Sequence, residues 1–144
     1  MVSPVAVCAL LMPLCAATVQ VATARDQATP VRCDVELDIF SGEPNPTWVL
    51  TDAEADSFAR QLAALPQAAP RQLSGRLGYR GFIVHCTEPG GAWSVHLQNG
   101  VAHIARGAPS YAADGQRRLE RWLLGTGKPH LKPDLYEFAE KEIR

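Results

Sequence analysis

The sequence predicts a small α+β domain: an antiparallel or mixed sheet of about four strands, with helices packed on one face, in the order β-α-β-β-β-α-α. Three observations carry that expectation. Residues 33–40 alternate apolar and acidic side chains, residues 93–105 fold back around Asn99-Gly100, and three other stretches show helical apolar spacing with start or stop signals. Alternating strands have one wet face and one dry face, so the helices must roof the dry one.

The first strand, 33–40, turns Cys33, Val35, Leu37 and Ile39 one way and Asp34, Glu36 and Asp38 the other. Pro44 and Pro46, with Gly42 and Asn45, then impose an extended and irregular path, because each proline fixes φ and biases its predecessor away from helix. Thr51 and Glu54 have capping-box spacing and open a helix over 52–65, with Ala55, Phe58, Leu62 and Leu65 as its stripe and Pro66 as its stop. Val49 is placed to pack against Ala55 or Phe58. A loop over 67–78 leads to a second strand, 79–86, and a turn at 88–91 leads to a third, 93–98. Asn99-Gly100 is a type I′ hairpin signal and returns the chain as a fourth strand, 101–105. A helix over 114–124 follows, with Leu119, Trp122 and Leu123 apolar and Gly125 or Gly127 as the stop. Pro133 begins a last helix over 134–143, with Leu135, Phe138 and Ala139 on one side.

The 144 residues fit one such domain behind a leading segment. Residues 2–24 contain no Asp, Glu, Lys or Arg, and Ala22-Thr23-Ala24 gives a small-x-small pattern just before Arg25 and Asp26. That order predicts a secretory signal over 1–24 and a domain over 25–144 in the secreted or periplasmic space. The competing reading is a retained membrane anchor, since the charge-free run approaches bilayer thickness, although Pro13, Thr18, Gln20 and Thr23 dilute it. Once the signal is removed, no membrane association is expected.

All 14 basic and 15 acidic residues follow Ala24, giving a net charge of -1. Without a concentrated basic footprint, no nucleic-acid partner is expected. Arg117, Arg118 and Arg121 form the densest basic group and read as the solvated side of a helix. Cys8 and Cys15 lie in the leading segment, which leaves Cys33 and Cys86 with one possible pairing in an oxidising compartment. A bridge between them ties the first strand to a later one and contributes about 4 kcal/mol in the chain-entropy picture.

A two-residue turn at Asn99-Gly100 sets Gln98 opposite Val101, Leu97 opposite Ala102 and His96 opposite His103. With Cys86 turned inward, His85 joins His96 and His103 on the wet face. Three histidines, or histidine with Asp34, Glu36 or Asp38, make a donor set that Zn²⁺ accepts. They support one alternative function, a small secreted metal-dependent hydrolase; otherwise no cofactor is expected. No His-Glu-x-x-His, Gly-x-Ser-x-Gly or phosphate-binding loop occurs, and Ser41, Ser57, Ser74, Ser94 and Ser110 have no motif context.

The leading expectation is a non-enzymatic exported binding module that takes a protein or small-molecule ligand on its proline-stiffened loop. Pro44, Asn45, Pro46 and Trp48 are its candidate binding residues, with Tyr79, Arg80 and Trp93 as possible neighbours. Prolines lower the entropy lost on ordering a loop, tryptophan anchors interfaces when exposed, and Asn45 can hydrogen-bond its own backbone before Pro46. The rival account has Trp48 covering the edge of the core. A third reading is a structural envelope protein held by its leading segment.

Overall fold

The structure, a computed structural model, describes residues 31–144; the expected signal over 1–24 lies outside the described residues. In chain order the elements are β1 (Arg32–Leu37), β2 (Thr47–Val49), α1 (Asp52–Ala63), β3 (Phe82–Glu88), β4 (Gly91–Gln98), β5 (Val101–Ala105) and β6 (Ser110–Ala113). A 3-10 turn (Gly115–Arg117), α2 (Arg118–Gly127) and α3 (Pro133–Ile143) complete the chain. The strands form one sheet in the order β2-β1-β3-β4-β5-β6, with every neighbouring pair antiparallel.

The α+β class is as expected, but the sheet has six strands rather than four, and the order of elements changes accordingly. The two additional strands are short and flank prolines. β2 is three residues long and follows Pro46, while β6 is four residues long and follows Pro109. Neither is long enough to display a period of two, so pairing with a neighbour defines them rather than pattern.

Alternation on the long strands sets the core. Val35 and Leu37 of β1, Phe82 and Val84 of β3, Val95 and Leu97 of β4, and Ala102 of β5 are buried beneath the helices. Cys33 faces Cys86 in the β1–β3 register, both are buried, and they are joined by a disulfide across a sequence separation of 53. Thr51 caps α1 with the full capping box: its side chain accepts from the Glu54 amide, and the Glu54 carboxylate accepts from the Thr51 amide. Replacing such a cap typically costs about 1 kcal/mol. Ala55, Phe58 and Leu62 of α1 are buried, and Phe58 stacks on Trp93.

Val49 does not pack inward as expected. It is 47% exposed, because Trp48, paired with the inward Val35 of β1, and Leu50 just after β2 turn to the core instead. The last helix also rotates relative to the expected stripe: Ala139 and Ile143 are buried, while Phe138 is exposed.

The β4–β5 hairpin has the register implied by its turn: Gln98 pairs with Val101, Leu97 with Ala102, and His96 with His103. Asn99 and Gly100 both have positive φ, 50° and 76°, as a type I′ turn demands. After β6, Gln116 and Arg117 also have positive φ, and α2 begins only at Arg118. The buried Asp114 carboxylate accepts from the amides of Leu119 and Glu120 and so satisfies the first turn of that helix.

Candidate functional site

β1 and β2 are joined by a connection that the backbone closes at its base, where the Leu37 amide donates to the Pro46 carbonyl at 3.0 Å. Asn45 fills the inside of this loop. Its Oδ1 accepts from the amides of Ile39 at 3.0 Å and Phe40 at 2.8 Å. Its Nδ2 donates to Glu36 Oε1 at 2.7 Å and Asp38 Oδ1 at 3.2 Å. One amide side chain thus saturates two backbone donors that the turning chain leaves without strand partners, and its amide hydrogens bridge two neighbouring carboxylates.

Arg80, just before β3, clamps the other side. Its guanidinium donates to the Asp38 carboxylate, to the Phe40 carbonyl at 2.6 Å and to Ser41 Oγ at 3.1 Å. Backbone bonds from Asp38 to Gly81 and from Arg80 to Asp38 prolong the β1–β3 pairing beneath it. The Arg80 carbonyl in turn accepts from His96 Nε2 at 2.8 Å. The network runs from His96 through Arg80 and Asp38 to Asn45, and it leaves the tip (Phe40, Ser41, Gly42, Glu43 and Pro44) exposed.

The sequence candidates separate on this framework. Asn45 is central, but its partners are upstream amides and the carboxylates of Glu36 and Asp38 rather than its own backbone. Pro44 is exposed, and Pro46 supplies the carbonyl that closes the loop. Trp48 is only 5% exposed: its Nε1 donates to Thr126 Oγ1 at 3.0 Å, its ring meets Phe82 edge-on, and His130 stacks upon it. Gly127 lets the indole approach closely, since a Cβ there would lie 2.7 Å from the ring. The indole therefore completes the core edge and is not an exposed anchor. Of its expected neighbours, Arg80 does touch the loop, whereas Tyr79 turns to Glu120 and Trp93 is buried against Phe58.

The histidine face is only partly assembled. His96 and His103 stand opposite one another, but His96 Nε2 is engaged by Arg80 and the His103 ring stacks on Tyr111. His85 is exposed on β3, with Ser94 and Asp34 as its cross-strand partners. Among the described residues, no group of three His, Cys, Asp or Glu side chains is placed to hold a metal ion. The alternative zinc site on His85, His96 and His103 therefore has no donor set there: the Arg80 carbonyl engages His96 Nε2, and Tyr111 stacks on the His103 ring.

A second polar network lies in the interior. Glu120 on α2 is fully buried and accepts from Tyr79 OH at 2.6 Å, from the Gly100 amide at 2.6 Å, and from Arg117 Nε and Nη2 at 3.2 and 2.8 Å. Arg117 also donates to the Glu142 carbonyl and lies over the Tyr79 ring. Burial, together with the neighbouring Glu120 charge and the hydrogen bond to it, pushes the Tyr79 phenol far above its ordinary range. Burial opposes the charge on Arg117, but the Glu120 bond and charge outweigh it and hold the guanidinium ionised. The three arginines expected on one solvated helix side thus divide: Arg118 and Arg121 are exposed, while Arg117 precedes the helix and neutralises a buried carboxylate.

Comparison with protein-family models, with curated proteins and with solved structures finds no match. The chain is described by its own architecture: a disulfide-bonded α+β domain with a six-stranded antiparallel sheet. No helix among the described residues is long and apolar enough to cross a membrane.

Proposed function

We propose that the chain is exported and that its domain is a binding module, docking a partner protein on the exposed tip of the β1–β2 loop, Phe40 to Pro44. The observation that carries this reading is the pinning of the loop. Asn45 and Arg80 spend seven side-chain hydrogen bonds on holding it and its flanking carboxylates, three of them on the Phe40 backbone and the Ser41 hydroxyl, while the Phe40 and Glu43 side chains stay exposed. A recognition loop gains from such pinning, because conformational freedom removed in advance is not lost on binding. Phe40, 37% exposed, gives the tip an apolar contact, and Glu43 gives it a charge.

Export is supported by the charge-free segment over 2–24 and by the Cys33–Cys86 disulfide, which fits an oxidising compartment. The test is site-specific photo-crosslinking in the exported fraction, with the reactive group at Glu43 or, as control, at Glu137 on α3. A single partner captured from position 43, not from 137, and lost in Phe40→Asp, is the expected result. Equal capture from both positions, or capture indifferent to Phe40→Asp in a variant that still folds, sinks the proposal. Mass spectrometry of the same material is expected to show a chain beginning at Arg25.

A further inference from the structure

A cleft of about 510 Å³ opens where the C-terminal end of α1 meets the end of β6 and the first turn of α2. It shares no residue with the loop network. Its size falls in the range of small-molecule sites, and Ala64, Leu65, Pro66, Ala113 and Leu119 give it apolar walls. Two charged residues border it, Asp114 and Arg118, and they differ in how their charges are met. The Asp114 carboxylate, only 2% exposed, is taken up by the Leu119 and Glu120 amides at the positive end of α2. Arg118 is exposed and has no carboxylate within ion-pair reach among the described residues. Its guanidinium instead donates to Gln116 Oε1 at 3.3 Å, from a residue held at φ 59°. The left-handed turn therefore sets one oriented, uncompensated cation at the rim of an apolar cleft.

We infer that this cleft is a second binding site, for an amphipathic monoanion: an apolar chain or ring bearing one carboxylate. The walls take the apolar body, and Arg118 takes the carboxylate through charge-assisted hydrogen bonds. A second negative charge would find no partner among the lining residues, and a neutral analogue would leave Arg118 unused. This site does not rest on the loop proposal.

The test is titration of the isotopically labelled protein with decanoate and, separately, with decanol, followed by amide chemical shifts. Decanoate is expected to saturate with its largest shifts at Ala64, Leu65, Ala113 and Leu119, and to bind about tenfold more tightly than decanol. Arg118→Gln should bring decanoate down to the affinity of decanol and leave decanol unchanged. Ala64→Trp, which fills the cleft from the exposed residue that caps the end of α1, should remove both, and Phe40→Asp should affect neither. Equal affinity for the two probes, indifference to Arg118→Gln, or shifts centred away from the cleft would each overturn the inference.

Discussion

Asn45 and Glu120 each gather four side-chain hydrogen bonds, one at the half-buried margin of the sheet and one in the interior. The difference lies in what each holds. Glu120 ties together the segment before β3, the β4–β5 turn and the start of α2, and none of its partners leads to a free surface element. Asn45 ties the carboxylates of Glu36 and Asp38 to the amides of a loop whose tip stays in water. A carboxylate that fixes elements to one another supports the fold, whereas an amide that fixes a projecting loop supports what the loop presents.

The sharpest way to break this contrast is to remove Glu120. Glu120→Ala leaves Arg117 without its counter-ion and Tyr79 without its acceptor in a region water does not readily enter. Loss of one partner from a buried pair costs about 3–5 kcal/mol. The urea midpoint of the purified domain should fall accordingly, and a loss under about 1 kcal/mol would show that the interior network is dispensable.

Tyr79 supplies the next largest effect and a pH signature. Its folded-state value lies above the ordinary 10.0, so the folded protein keeps a proton that the unfolded chain releases as pH rises past that point. The stabilisation is complete below about pH 10 and declines above it by about 1.4 kcal/mol per pH unit. Tyr79→Phe should cost about 1.5–3 kcal/mol near neutrality, through the lost bond to a charged acceptor, and should flatten the alkaline decline. Urea unfolding of both proteins between about pH 9 and 11 measures the slopes. Parallel slopes would show that Tyr79 titrates freely in the fold.

The same contrast explains what the sequence could reveal. Periodicity depends on neighbours in the chain, so the inward set of β1, the register of the β4–β5 hairpin and the capped start of α1 were all readable from pattern. The signal reading set Cys8 and Cys15 aside and left Cys33 and Cys86 as the one pairing, and the disulfide joins them. Short strands carry no period, which is why β2 and β6 emerged only with their partners. The polar centres were hidden for a related reason. Glu120, between arginines on an amphipathic helix, has the local pattern of a solvated position, and only the fold brings Tyr79 and Gly100 to it across 41 and 20 residues. Arg80 lay within the expected second strand, and nothing nearby in the chain marks Asp38 or Phe40 as its targets. Asn45 shows in the sequence only the turn chemistry of its residue type, and its carboxylate partners, Glu36 and Asp38, follow only from the pairing of β1 with β2. Trp48 has two sequence readings, and the pairing of β2 with β1, which sets it beside the inward Val35, decides for the core.

Asn45 itself gives the smallest expected change in stability and the most direct test of the loop. Asn45→Ala removes four hydrogen bonds, but the amides of Ile39 and Phe40 and the carboxylates of Glu36 and Asp38 lie near enough to the surface to be rehydrated. The net cost should be about 1–2 kcal/mol, below that of Glu120→Ala. Local opening should respond more strongly, with the Ile39 and Phe40 amides exchanging about tenfold faster while amides in β4 keep their protection. Asn45→Asp sharpens the point. It retains an acceptor for the two amides but sets a third carboxylate beside Glu36 and Asp38, where the native side chain donates to both. At neutral pH it should therefore loosen the loop more than alanine does, and added salt should reduce the difference by screening the repulsion. If Asn45→Asp exchanged more slowly than Asn45→Ala at low ionic strength, the two carboxylates would not be what the Asn45 amide restrains, and the loop would owe its shape to its prolines instead.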